Sequence, residues 1–145
     1  MVYSVLKQVK VQRCLRTKRR SSKMTIDTIV DSSKDAFGVV SYERNVCGSG
    51  TIGIMFIASK TKVGPTTTSM SIPILELLAA VMGRRLTHSI SRLLQMAISG
   101  ATFWNDSTNT FWWIRGNGGC FKPLVAYLVA ELKQNLFNGD IYEQT

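Results

Sequence analysis

The sequence predicts an α/β fold with a mixed central sheet: a three-strand antiparallel meander, at least one parallel strand, and flanking helices. Two observations predict it. Three apolar segments rich in β-branched residues follow one another between residues 24 and 59, joined by short links. A long segment with helical apolar periodicity comes next, and a short apolar strand follows it. A strand that follows a crossover helix pairs parallel to the first strand through a right-handed connection.

The three strands of the meander are predicted from alternation and turn residues. Met24 to Val30 alternates and ends at Asp31, and Ser-Ser-Lys-Asp then supplies turn chemistry. Ala36 to Tyr42 is the second strand. Two glycines in Asn45 to Gly50 indicate a hairpin loop, and Thr51 to Ser59 is the third strand.

A long helix follows the meander. Ser71 is a suitable N-cap, and Pro73 lies near the first helical position, where its missing N–H costs little. Apolar residues then recur with helical spacing from Ile74 to Leu94, and Gly100 follows the helix. Three shorter elements complete the prediction: a strand from Ala101 to Asn105, a short helix from Ser107 to Arg115, and a final helix from Leu124 to Leu136.

The net charge of +9 is concentrated at one end of the chain. Residues 1–23 contain eight Lys and Arg residues and no acid, which predicts a basic arm before a nearly neutral domain at 24–137 and a tail at 138–145. Lys18, Arg19 and Arg20 are its candidate nucleic-acid contacts, because such an arm neutralises phosphates. A solvated linker from a longer polypeptide is the alternative.

Several classes are excluded by what the chain lacks. No apolar segment approaches the roughly 20 residues that cross a bilayer, so we expect no membrane association. Three widely spaced cysteines without a CxxC pair argue against a zinc ribbon or a disulfide framework. They favour a reducing, intracellular compartment, cytoplasmic or nuclear.

Three of the nine acidic residues adjoin apolar segments: Asp31, Glu76 and Asp106. In the predicted topology, Asp31 and Asp106 end neighbouring strands, and Glu76, in the first turn of the long helix, can face the same edge. Carboxylates that converge repel one another unless a cation is present, and Mg²⁺ or Mn²⁺ suits such ligands. Two ions would activate a water and stabilise the leaving oxygen of a phosphodiester. Asp at strand ends and Glu in a first helical turn are also common without any metal.

Four stretches in order carry a family resemblance. They are Asp31 to Gly38, Ser59 to Pro65, Ile72 to Ala80 and Phe103 to Thr108. Together they resemble DAS-x-x-A-x-G, SK-x-x-V-x-P, IPRLELLAA and WSDST of the ribonuclease H-like domain in BEL/Pao-type LTR retrotransposon polyproteins. The resemblance covers about residues 13–132.

This resemblance implies a ribonuclease H fold and Mg²⁺-dependent (or Mn²⁺-dependent) hydrolysis of the RNA strand of an RNA–DNA hybrid. It implies linkage to reverse transcriptase and integrase regions in a longer polyprotein. Asp31 would bridge the ions, and Glu76 and Asp106 would complete their shell.

The family carries a fourth acid after a last strand. The sequence given ends at Thr145, and the stretch around Asp140 does not resemble that motif, so no residue is assigned and we expect impaired hydrolysis. A non-catalytic nucleic-acid-binding remnant, or a fragment with no independent role, are the alternatives.

Two further groups have alternative interpretations. Arg84, His88 and Arg92 recur every four residues, and the two arginines are candidate nucleic-acid contacts, although a solvated helix face has the same pattern. Trp104 and Trp112 are predicted in the core, and Trp113 is left open between core and a stacking surface for bases.

Overall fold

The structure, a computed structural model, describes residues 21–65, 70–95, 100–116, 120–136 and 140–143. Lys18, Arg19 and Arg20 of the predicted arm lie outside the described residues. Within them the elements in chain order are β1 (Ser21–Ser32), β2 (Ala36–Cys47), β3 (Ile52–Val63), α1 (Ile72–Leu94), β4 (Ala101–Asn105), α2 (Thr108–Arg115), α3 (Pro123–Leu136) and β5 (Asp140–Glu143).

The strands form a five-stranded mixed sheet in the order β3-β2-β1-β4-β5. β1 and β3 each pair antiparallel with β2, and β4 pairs parallel with β1. The predicted meander and parallel strand are therefore confirmed. The sequence did not predict β5: part of the expected tail, Asp140–Glu143, pairs parallel with β4. Four residues are too few for a pattern of their own, and only the neighbouring strand makes them a strand.

β2 and β3 extend well beyond their predicted ends, whereas β1 ends at Ser32, next to the predicted Asp31. β2 continues past Tyr42 to Cys47, and its alternation continues with it, so that Glu43 and Asn45 are buried in line with Phe37 and Val39. Glu43 has no exposed surface, and its Oε1 accepts a hydrogen bond from the Asn45 side-chain amide. A carboxylate in this position is costly unless it is paired. The loop predicted over Asn45 to Gly50 rested on its two glycines, and the structure places Asn45 to Cys47 in β2 instead.

α1 lies across β1 and β2 and supplies most of the core. Its residues Leu75, Ala79 and Met82 pack on Val30 and Phe37. A second cluster at its other end joins Ile90 to strands β1 and β4. The helix starts where it was predicted, with Ser71 as N-cap and Pro in its first turn. Within the described residues, no helix is long and apolar enough to cross a membrane.

A buried hydroxyl chain crosses the interface between α1 and the sheet. Thr28 Oγ1 lies 3.0 Å from Ser41 Oγ and 2.7 Å from Thr87 Oγ1. All three side chains are buried, so each hydroxyl depends on the others for its hydrogen bonds. This chain fixes the register of α1 on β1 and β2.

α3 packs against the outer side of α1. Val125, Leu128 and Leu132 share a cluster with α1 residues, and Trp113 of α2 packs on that cluster. The prediction for Trp112 is wrong: its side chain is 67% exposed. The short helix α2 turns only one side toward the core, and Trp113, rather than Trp112, lies on that side.

Candidate metal and nucleic-acid site

The ends of β1 and β4 lie side by side at one edge of the sheet. The last paired residues are Ile29 and Trp104. Asp31 and Asp106 each lie two residues beyond that pair, so the parallel register brings their backbones to equivalent positions. Adjacent strands are about 4.8 Å apart. The predicted meeting of these two strand ends is therefore confirmed at the level of the backbone.

Glu76 reaches the same edge through a neighbour of Asp106. Ser107 Oγ donates a hydrogen bond to Glu76 Oε2. Ser107 Oγ also accepts a 3.1 Å hydrogen bond from the Thr110 amide. Ser107 is the N-cap of α2 and is buried. Glu76 begins the second turn of α1 rather than lying in the first turn, where no acid is present. One hydroxyl thus ties α1, the end of β4 and the start of α2 together.

The two aspartates differ from Glu76 in their surroundings. Both are exposed, whereas Glu76 is half-buried. Asp31 Oδ1 accepts a 2.7 Å hydrogen bond from the backbone amide of Ser32. The Ser107 amide, just after Asp106, donates to Asn105 Oδ1 at 2.9 Å. We call the ends of β1 and β4, with Asp31, Asp106 and Glu76, the carboxylate edge. Its two aspartates are open to solvent, whereas Glu76 is half-buried and accepts a hydrogen bond from Ser107.

The donor set has the chemistry that a hard divalent cation requires, because all three side chains offer carboxylate oxygens. Across the part of the chain that the structure describes, no group of three or more His, Cys, Asp or Glu side chains is close enough to hold a metal ion. The structure thus brings the three acids to one edge without gathering them into a metal site.

The register of β5 adds one acidic residue to this edge. Glu143 pairs with Asn105, the residue before Asp106. No acid near the C-terminus was assigned from the sequence, because Asp140 lies outside any matching motif. Asp140 pairs with Thr102 at the other end of β4, away from the carboxylate edge. By backbone position, Glu143 therefore lies beside Asn105 at the end of β4.

The predicted cationic face of α1 is not one surface. Arg92 is exposed, whereas Arg84 is half-buried beside Val30 and Asn105, and its Nε has no hydrogen-bond partner. Burial lowers the pKa of the Arg84 guanidinium, with Glu131 acting in the opposite direction. Arg84 turns inward because its position on α1 faces β4 and α3. Its assignment as a nucleic-acid contact, like that of Arg92, stays a prediction.

The exposed neighbour of Arg84 makes the ion pair of this region. Arg85 donates from Nε to Glu131 Oε1 at 2.7 Å and from Nη2 to Glu131 Oε2 at 2.8 Å. This bidentate contact raises the pKa of Arg85 and lowers the pKa of Glu131. It joins α1 to α3.

A comparison with known protein families shows to which family the chain belongs. The Pao retrotransposon-like RNaseH-like domain family matches residues 3–107, a span that includes Asp31, Glu76 and Asp106. The chain belongs to this family. The match ends at Ser107, so α2, α3 and β5 of this RNaseH-like domain lie beyond it.

Solved structures bear out the ribonuclease H-like fold. A foamy viral protease-reverse transcriptase in complex with dsDNA matches with a TM-score of 0.61 and 13% identity, over 99% of this chain and 27% of that chain. A foamy viral protease-reverse transcriptase dRH in complex with dsDNA matches with a TM-score of 0.52 and 11% identity, over 99% and 25% respectively. The RNaseH-like domain thus spans about a quarter of these longer proteins. A comparison with curated proteins found no match.

Proposed function

We propose that this RNaseH-like domain hydrolyses the RNA strand of RNA–DNA hybrids with Mg²⁺ or Mn²⁺. The observation that carries the proposal is the carboxylate edge. Asp31 and Asp106 each follow the β1–β4 pair Ile29 and Trp104 by two residues, and Ser107, the residue after Asp106, donates a hydrogen bond to Glu76. Membership of the family supports the same reaction.

In the proposed reaction, divalent cations neutralise the developing charge on the phosphodiester. Asp31, Glu76 and Asp106 would hold them. Asp31 and Asp106 are exposed, so substrate can approach these carboxylates directly. Ser107 restrains Glu76, so less side-chain freedom is lost when an ion binds. Glu143 is the proposed fourth carboxylate, on the strength of its pairing with Asn105.

A second candidate function is binding of nucleic acid without cleavage. The observation that favours it is that the described acids form no ready metal site. In either case we propose that the domain works within a longer polyprotein that carries reverse transcriptase and integrase regions. The small share of the foamy viral chains that it covers supports this linkage.

The test is cleavage of an end-labelled RNA–DNA hybrid by the full chain in Mg²⁺ and in Mn²⁺. We expect Asp31→Asn to lower the rate by at least roughly 100-fold, since even residues behind metal ligands cost 10–100-fold. Asp35→Asn is the matched control, because Asp35 is an exposed acid in the turn after β1. It should retain the full rate.

Two outcomes separate the candidate functions. Absence of cleavage by the wild-type chain at high protein and Mn²⁺ concentrations, with hybrid binding retained, would establish the binding function instead. Equal cleavage by wild type and Asp31→Asn would remove Asp31 from the site.

A further inference from the structure

Three apolar side chains of β3 form an exposed patch on the face of the sheet opposite α1. Ile52, Ile54 and Phe56 are 57%, 69% and 38% exposed. Phe56 pairs with Tyr42 of β2, and their rings meet edge to face with centroids 6.1 Å apart. Tyr42 follows the buried Ser41, which belongs to the hydroxyl chain that reaches α1, so Tyr42 and Phe56 face away from that helix. We call Ile52, Ile54 and Phe56 the hairpin patch.

The three helices that the structure describes leave this patch uncovered. α1 packs on the other face of the sheet, and α2 and α3 pack against α1. A salt bridge of 3.1 Å between Arg44 Nε and Asp27 Oδ2 borders the patch on the side of β1. Because an apolar sheet face is normally buried against a further layer of structure, the hairpin patch is a candidate docking surface.

The size of the hairpin patch suits one short helix better than a second copy of the chain. From Ile52 to Phe56 the strand rises about 14 Å, and the distance from β3 across β2 to β1 is about 10 Å. A standard interface buries about 800 Å² on each partner, several times this footprint of about 140 Å². A helix is about 10 Å in diameter, and eight of its residues rise about 12 Å.

The sequence before β1 contains a segment of this length. Among the stretches outside the described residues, only 1–20 is longer than four residues. Val2, Val5, Leu6 and Val9 have the i, i+3, i+4, i+7 spacing of one apolar helix face, which predicts an amphipathic helix. The family match begins at residue 3, so it includes most of this segment.

The segment enters the sheet beside the hairpin patch. β1 begins at Ser21, which pairs with Cys47, and the preceding residue Val46 pairs with Ile52. Ser21 therefore lies about two strand spacings, about 10 Å, from Ile52. The chain between residues 9 and 21 can span up to about 35 Å. A short tether of this kind gives an effective concentration in the millimolar range, so a small contact area is sufficient.

We propose that residues 2–9 form an amphipathic helix that docks its apolar side on the hairpin patch of the same chain. The docked helix covers Ile54 and Phe56 and leaves the ammonium group of Lys7 in water. The contact requires neither a metal ion nor nucleic acid, so its test is independent of the proposed function.

The first experiment is disulfide trapping in the full chain. The starting chain carries serine in place of its native cysteines, Cys14, Cys47 and Cys120. Leu6→Cys is then combined with Ile54→Cys. Leu6→Cys with Ser89→Cys is the matched control, because Ser89 is exposed on α1, beyond the other face of the sheet. We expect mild oxidation to close the first pair within one chain at least about 10-fold faster than the control pair, because docking raises the local thiol concentration.

The second experiment places charge on the apolar side of the segment. Val5→Asp with Leu6→Asp should lower the thermal unfolding midpoint by roughly 4–8 °C, because a carboxylate is costly in an apolar contact. Ser4→Asp with Gln8→Asp is the matched control. It adds the same charge on the polar side of the predicted helix and should keep the wild-type midpoint.

Three results would overturn the proposal. One is an equal rate of disulfide formation in the two cysteine pairs, and another is an equal midpoint for the two aspartate pairs. The third is a disulfide that joins two chains, together with a wild-type dimer in light scattering, which would assign the hairpin patch to a second copy.

Discussion

The hydroxyl of Ser107 makes two hydrogen bonds that link elements of the candidate site. Its hydroxyl accepts from the Thr110 amide to start α2 and donates to Glu76 on α1. Ser107 therefore caps α2 and contacts the carboxylate of Glu76, because the residue after Asp106 is buried at the end of β4.

Replacement of Ser107 by Ala should affect both stability and metal dependence. Loss of the cap should cost about 1 kcal/mol in the free energy of unfolding. Release of Glu76 should raise the Mg²⁺ concentration for half-maximal cleavage roughly 10-fold, the lower end of the range for residues that orient metal ligands. Mg²⁺ titration of cleavage, and calorimetric titration of Mg²⁺ without substrate, measure the second effect.

Ser107→Thr keeps a hydroxyl and should restore most of the Mg²⁺ dependence. Ser89→Ala removes an exposed hydroxyl that donates to the Arg85 carbonyl, and serves as the control. If Ser107→Ala kept the wild-type Mg²⁺ midpoint while losing stability, the serine would be a helix cap alone.

At the scale of elements, α1 approaches the sheet closely at Gly83. A Cβ at this position would lie 2.5 Å from Val30 Cγ1 and 3.4 Å from both Thr28 Cγ2 and Val39 Cγ2. Val30 is buried and β-branched, so its methyl cannot swing away freely. Glycine therefore allows α1 to lie this close to β1 and β2.

Gly83→Ala should destabilise the fold by about 1–3 kcal/mol through overpacking, despite the better helix propensity of Ala. Denaturant unfolding measures the change. Combining it with Val30→Ala should recover part of the loss, because the clashing methyl is gone. Gly48→Ala is the control, since a Cβ at Gly48 meets nothing within 4 Å. Additive losses in the double variant would contradict the close-packing explanation.

The strand boundaries show which parts of an element depend on their partners. The apolar halves of β2 and β3 were predicted correctly. Their continuations, through Glu43 and Asn45 in β2 and Lys60 and Lys62 in β3, were not. Polar residues are strand-forming there because each backbone has a neighbour to pair with, and pairing is not encoded in a single segment.

At the scale of the whole molecule, positive charge has two separate sources. One is the arm, where residues 1–23 contain eight of the eighteen Lys and Arg residues. The other is the Lys60–Lys62 pair at a cavity between β3, α1 and α3. A duplex that met both would bind with a salt dependence that is the sum of the two contributions.

Neutralising the arm should flatten the salt dependence without altering the fold. We expect Lys18→Gln, Arg19→Gln and Arg20→Gln together to make the slope for hybrid binding shallower by up to about 3. Fluorescence anisotropy from 50 to 200 mM salt measures the slope. An unchanged slope would mean that the arm is a solvated linker.

The sequence alone determined the meander, the long helix, the parallel strand and the family, because each depends on local periodicity or on motifs in order. It also identified Asp31, Glu76 and Asp106 as candidate metal ligands. Only the tertiary structure decided that Ser107 donates a hydrogen bond to Glu76 and that Glu143 pairs with Asn105 through β5. It also decided that Arg84 turns inward, and that Lys60 and Lys62 line a cavity. These are contacts between segments distant in sequence, and they depend on register and packing that no local pattern records.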